Sequence, residues 1–208
     1  MRLLLVFLLS THLLSASNDL INKIPEYGKA SVRIKDQKVP AIKAKEGAIL
    51  ENVVAKNITV KKLIFARKLK AEKIFLDDCM AFLQDGQVTN LEGLAVCQIN
   101  SAIIQKLQLK GHLSAAFLKS DLILMQGQCL LSDSDVKNME VTADKVELKN
   151  TKVHTLTVMP AAKKKSVVIL KNSSANKIIF IGTKGTVIKR DHKSFVLALE
   201  NGKEELIF

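Results

Sequence analysis

The sequence predicts an all-β chain wound as a single-stranded β-solenoid, a β-helix, and closed by a C-terminal hairpin cap. Three observations lead there. Apolar residues recur in the order h-x-h-x-x-h-x-h, with x polar or charged, and the same frame returns many times along the chain. The h-x-h pairs put two side chains on one face of a short strand, whereas a helix would throw residues i and i+2 to opposite sides. Asn57, Asp78, Asn100 and Asp121 also recur at intervals of 21, 22 and 21, as a turn-forming ladder at one corner of a stacked coil would.

The elements follow in chain order. Residues 1–17 read as an export signal: Arg2 is the positive start, Leu3 to Leu9 with Leu13 and Leu14 the apolar stretch, and Ser15-Ala16-Ser17 the small-residue cleavage zone. Residues 18–40, which include Tyr27, are expected to cap the first coil. Residues 41–160 hold the repeat. Its copies are Ile58, Val60, Leu63 and Phe65; Leu69, Ala71, Ile74 and Leu76; Ala81, Leu83, Gly86 and Val88; and Ala102, Ile104, Leu107 and Leu109. A weaker copy is Leu122, Leu124, Gly127 and Cys129, and the last two begin at Val141 and Thr151. Two ten-residue units per coil give a coil of about 21 residues and about six coils. After Pro160 comes a basic β cap over 161–208, in which Asn201-Gly202 is the strongest short hairpin signal.

Composition supports a folded chain. Of 208 residues, 48% are hydrophobic and 25% charged, which places the sequence among globular proteins and against disorder. Nine Gly and three Pro are too few for a collagen-like or Pro-rich chain. Cys79, Cys97 and Cys129 permit at most one intramolecular disulfide. Their spacings of 18 and 32 fit no zinc or redox motif, so they read either as small buried apolar side chains or as one bridge between neighbouring layers. Asn57-Ile-Thr59 and Asn172-Ser-Ser174 match the glycosylation sequon.

At the level of architecture, residues 41–160 resemble secreted bacterial right-handed β-solenoids. Ile58-Thr-Val60 and Leu63-Ile-Phe65 are similar to the two-apart inward residues of pentapeptide-repeat proteins, although Thr59 and Ile64 stand where those favour Asn or Asp. The cadence of Val141-Thr-Ala-Asp-Lys-Val-Glu-Leu148 resembles that of bactofilins, without their frequent bend glycines. The resemblance implies the fold and brings no functional residue with it.

Chemistry is sparse. Asp77-Asp78 and Asp133 with Asp135 are the paired acids that a polysaccharide-active β-helix enzyme would need. The chain has no Trp and one Tyr to serve as sugar platforms, so Asp77-Asp78 reads as a bend after Leu76. His112, His154 and His192 lie in no ligand spacing, and His154 is expected to face solvent. No catalytic, cofactor or metal site is predicted.

Charge is more informative. The formal net charge is +12. Residues 21–73 carry fourteen Lys and Arg against five acids, 74–158 seven against ten, and 159–208 ten against four. Basic ends around a slightly acidic middle favour anionic surfaces such as lipopolysaccharide, phospholipid or teichoic acid. The predicted patch is Lys163, Lys164, Lys165, Lys171, Lys177, Lys184, Lys189, Arg190 and Lys193. Lys dominance and the lack of interleaved aromatics speak against specific nucleic-acid binding. The expected function is that of an exported, non-enzymatic structural or interaction protein of a bacterial periplasm, envelope or cell surface, with a protein partner or a second copy as further candidates. The alternative is a jelly-roll lipid- or glycan-handling protein similar to lipopolysaccharide-transport components.

Overall fold

The computed structural model describes residues 30–143, 145–161, 166–181, 185–191, 193–199 and 204–207; in the last three strands, of the side chains, only that of Val187 is described. The expected export signal and most of the expected N-terminal cap lie outside these residues. What is described is all-β, as the sequence predicts. The strands are β1 (Val32–Ala44), β2 (Ala48–Arg67), β3 (Lys70–Gln84), β4 (Gln87–Ser132), β5 (Asp135–Thr142) and β6 (Lys145–Lys149). They continue with β7 (Lys152–Met159), β8 (Ser166–Lys171), β9 (Ser174–Phe180), β10 (Gly185–Asp191), β11 (Lys193–Leu199) and β12 (Glu204–Ile207). β1 to β10 are joined in parallel, each turn of chain resting on the previous one, so the chain is a β-solenoid.

The coil is shorter than the sequence reading expects. Val32 pairs with Ala48, Ala55 with Ala71, and Lys119 with Asp135, a step of 16; Cys129 pairs with Val146, a step of 17. Residues 41–160 therefore make about seven turns rather than six. The h-x-h-x-x-h-x-h pattern covers two faces of one coil, and a third inward pair completes it. In one coil Ala102 and Ile104 point inward from face A, Leu107 and Leu109 from face B, and Leu113 and Ala115 from face C; all six are buried. In the sequence the h-x-h pairs of different faces look alike, so a single frame mixes copies from different faces. Two consequences are local: Leu63 and Phe65 face outward while Ile64 and Ala66 are buried, and Ile123 and Met125 are inward instead of Leu122 and Leu124.

Sharp corners let three faces fit into so short a coil. Between faces C and A a single residue takes positive φ: Asp36, Asn52, Lys68, Asp85, Ser101, Phe117, Asp133, Asn150 and Asn172, all between 47 and 56°. Asn and Asp tolerate this left-handed geometry best. They also bond between coils, Asn52 Nδ2 donating to Asp36 Oδ1 at 2.7 Å and Asn150 Nδ2 to Asp133 Oδ1 at 3.0 Å. This is the true polar ladder, and it replaces the one expected from the intervals of 21 and 22. Of the residues in that expected ladder, only Asp78 has positive φ; it sits at the corner between faces B and C, as the extra residue of a bulge. Face A joins face B through exposed pairs such as Gln105-Lys106, with no residue of positive φ.

Later coils place a hydroxyl just after the corner. Ser134, Thr151 and Ser173 are buried. Each hydroxyl donates to the carbonyl two residues before it, at 2.7, 2.8 and 2.9 Å. Each also accepts from a backbone N–H one coil away: Leu118 N–H to Ser134 Oγ, Ser134 N–H to Thr151 Oγ1, and Thr151 N–H to Ser173 Oγ. The hydroxyls thus satisfy buried amide donors at the bend.

The boundaries also differ from those expected. The parallel stack begins at Val32, not 41, and continues past Pro160: β8 and β9 step by 22 from β6 and β7 and build a further coil. The cap is smaller. β11 pairs antiparallel with β10 as a hairpin, and β12 pairs antiparallel with β9. Asn201-Gly202 lies outside the described residues, and the strands that it connects stand at opposite ends of the strand order. The hairpin instead turns between Asp191 and Lys193.

Gly93 takes an inward position on face B with φ 137°, and a Cβ there would lie 1.9 Å from the Leu76 carbonyl oxygen. Gly86, inward on face A, has no such conflict, its nearest neighbour being 3.7 Å away. Gly93→Ala should therefore cost about 3 kcal/mol or more in urea unfolding, and Gly86→Ala should stay within about 1 kcal/mol of the parent. Equal effects would remove the steric account of the Gly93 corner.

Candidate functional site

The solenoid core is filled by the inward columns, so functional groups have to be sought on the outside. The constant step between coils places outward side chains at equivalent positions about 4.8 Å apart, close enough for ion pairs. Lys35 meets Glu51 at 3.2 Å, Lys61 meets Asp77 at 2.6 Å, and Lys137 meets Asp121 at 2.6 Å, each pair joining equivalent positions of neighbouring coils. Lys62 and Glu46 form a fourth pair of this kind. Lys73 bonds Glu92 at 2.7 Å, and Glu147 lies between Lys145 and Lys171. The Lys171 and Lys145 ammonium groups hold the Glu147 carboxyl below the usual carboxylate range against a smaller opposing effect of burial.

Three of the four paired acids have structural roles, while Asp135 is exposed. Asp77 is bound to Lys61, Asp78 forms a corner, and Asp133 accepts the Asn150 amide. His154 is exposed, as expected, and lies 2.9 Å from the Asn176 amide; His112 lies 3.1 Å from Gln128. His192 is outside the described residues. Among the described residues no group of three or more His, Cys, Asp or Glu is arranged to hold a metal ion.

All three cysteines are buried and free. Cys79 is in register with Ala95, and Ala81 with Cys97, so the two thiols stand one coil and two residues apart. At about 4.8 Å per coil and 3.3 Å per residue, that diagonal exceeds the roughly 7 Å Cα limit for a disulfide. The register therefore decides between the two sequence readings in favour of apolar packing. Burial pushes the thiols of Cys79 and Cys129 up to about 12, and that of Cys97 further up.

The predicted basic patch is only partly placed. Lys163, Lys164, Lys165 and Lys184 lie outside the described residues. Lys171 ends β8 and is engaged by Glu147. Lys189 and Arg190 are on β10 and Lys193 on β11, whereas Lys177 is on β9, in the other stack of strands.

The structure adds a feature that the sequence reading missed, a trough of about 940 Å³ along the outer side of face A over five coils. Lys38, Val54, Lys70, Gln87 and Ile103 succeed one another in one column, and Lys56, Glu72, Thr89 and Gln105 in the next. Small inward residues beneath it, Ala55 and Ala71, let this face draw in toward the axis. Among the described residues Lys38, Lys56, Lys70 and Glu72 form no ion pair. A smaller hollow of about 230 Å³ shares Ile103 and Gln105 and continues toward Lys119, Asp121 and Asp135. With the true coil step known, Lys38 and Lys70 fall in one column, but the longer expected step scatters them.

No family model, curated protein or solved structure matches the chain.

Two outcomes test these assignments. The folded protein should leave all three thiols unreacted toward an aromatic disulfide reagent at pH 8, and expose three after denaturation; rapid labelling of the native state would contradict the inward register of face C. Because the folded-state pKa of Glu147 is depressed, its contribution to stability is complete above the unfolded value of about 4.3 and is lost as pH falls through the folded one. The stability gap between the parent and Glu147→Gln should therefore be widest near neutral pH and close as the carboxylate is protonated in acid; a gap independent of pH would remove the ion-pair account.

Proposed function

We propose that the chain is a non-enzymatic structural or interaction module exported to a bacterial envelope or cell surface, where the outer faces of its solenoid meet anionic surfaces or polymers. The observation that carries this reading is the filled core. Leu107, Leu113, Ile123 and Leu148 and their column neighbours fill the described interior, so among the described residues recognition falls to the outside. Parallel coils of this kind favour the scaffold over a jelly-roll carrier, which needs antiparallel sheets around an open groove.

The surface supports the same reading. Several acids are committed to inter-coil pairs, as with Glu46, Glu51, Asp77, Glu92 and Asp121. The excess is lysine, and a net charge of +12 attracts anions diffusely over about one Debye length. Removal of residues 1–17 by an export pathway accords with the Leu-rich start of the chain.

Cosedimentation with vesicles containing anionic lipid, and with a polyanion such as polygalacturonate, tests the proposal. Binding should be strong at about 20 mM salt and fall steeply by about 300 mM, as screening requires. Changing Lys163, Lys164 and Lys165 together to Gln should weaken adhesion to vesicles with no change in Tm. No binding to any anionic partner at low salt would reduce the lysines to a solubilising surface.

A further inference from the structure

We infer that the trough on face A is a binding site for a linear anionic polysaccharide lying along the solenoid axis. The inference rests on the proposed reading of an anionic partner and specifies where and what that partner is.

Three properties of the trough carry it. The first is unpaired charge. Seven lysines of the described stack, among them Lys35, Lys61 and Lys62, are held in ion pairs, but Lys38, Lys56 and Lys70, which gather on successive coils in one trough, form none among the described residues. Only Glu72 opposes them within the trough. The second is shape. The hollow is one short strand wide and crosses five coils, about 19 Å at roughly 4.8 Å per coil, which suits an extended chain and not a flat bilayer. The third is the mixture of groups. Gln87, Thr89 and Gln105 offer amides and a hydroxyl to sugar hydroxyls, and Val54 and Ile103, 41% and 51% exposed, offer apolar contact to sugar C–H faces. A bare phosphate polymer could accept from the amide N–H groups, but it has no C–H face for the two aliphatic side chains. The trough holds no aromatic platform, so affinity must come mainly from charge and be sensitive to salt.

The site has a direction. Cations without an ion pair gather at the end formed by β1 to β3, whereas in the smaller hollow at the other end Lys119 and Lys137 stand beside Asp121 and Asp135, and Lys137 is paired with Asp121. Carboxylates of the polymer therefore belong over Lys38, Lys56 and Lys70.

The test measures polygalacturonate binding by four forms of the full mature chain, with dextran and inorganic polyphosphate as comparison ligands. All substitutions are on exposed outward positions, and equal Tm values confirm folding. Lys38→Gln, Lys56→Gln and Lys70→Gln together should weaken uronate binding about tenfold, whereas Glu72→Gln alone should tighten it about twofold, at the strength of exposed charge contacts. A charge-matched control, Lys61→Gln, Lys62→Gln and Lys145→Gln, should stay within about twofold of the parent. If the control weakens binding as much as the trough variant, or Glu72→Gln has no effect, binding is diffuse and the site is overturned. Polyphosphate binding as tight and as sensitive to the trough lysines would overturn the polysaccharide assignment, as would equal retention of dextran. Absence of binding by the parent to vesicles and polyanions alike would instead fail the underlying reading of the protein.

Discussion

The parallel register between coils is the constraint from which the rest of this structure follows. Backbone N–H and C=O groups of one coil are satisfied by the next only if every coil returns to the same place, so the length of a coil is held nearly constant wherever the stack is regular. The chain meets this requirement with one left-handed residue at each C-to-A corner, since a single positive φ reverses direction in the fewest residues. Where the coil lengthens to a step of 22, between β6 and β8 and between β7 and β9, the strands still pair in parallel register. Phe117 shows how strict the demand is: a bulky residue, 58% exposed, adopts φ 54° at the corner because that position in the coil must turn.

Inside, the same constraint produces columns of like residues; outside, it produces charge pairs between equivalent positions one coil apart. Ile58, Ile74, Leu91, Leu107 and Ile123 stack on face B because equivalent positions in successive coils share one environment. Ser134, Thr151 and Ser173 form a buried hydroxyl file for the same reason, each closing the donor of the coil beside it. The ring stack of Phe65 and Phe82, with centroids 4.6 Å apart and planes at 5°, is the outward counterpart on face C. These are the repetitions that reach the eye in the sequence.

How much could be read in advance depends on which repetition is followed. The alternation of Leu69, Ala71, Ile74 and Leu76 is legible because two faces joined by an exposed bend keep their spacing in every coil. The third face is not, because its pairs, such as Ala81 with Leu83 and Cys97 with Ile99, are preceded by a corner of variable length: Asp78 adds a residue there, and Gly93 and Gly111 do not. The offset of eleven between one h-x-h frame and the next therefore mimics half a coil. The polar ladder fails for a related reason. Corners accept Lys68, Ser101 and Phe117 as well as Asn and Asp, so residue type alone leaves gaps, and Asn57 and Asp121 on the A-to-B bend fill them misleadingly. Once the period is wrong, surface columns cannot be assembled, which is why the concentration of lysine over residues 21–73 is visible in the sequence and the trough that it lines is not.

A core closed in this way also restricts where function can reside. In a lipid-binding sandwich the apolar interior is the site, and filling it abolishes activity. Here the interior is already committed to holding the coils in register, and its thiols and hydroxyls are buried in that task. The outer residues are under no such obligation: a column can carry Lys38, Val54, Lys70, Gln87 and Ile103 in succession without disturbing the stack, since none of them packs inside. Departures from simple inter-coil pairing on that surface are therefore where selection by a ligand can act without disrupting the fold. The run of lysines on face A that forms no ion pair, with Glu72 as its acidic neighbour, is such a departure, placed over a hollow that the small residues beneath it create.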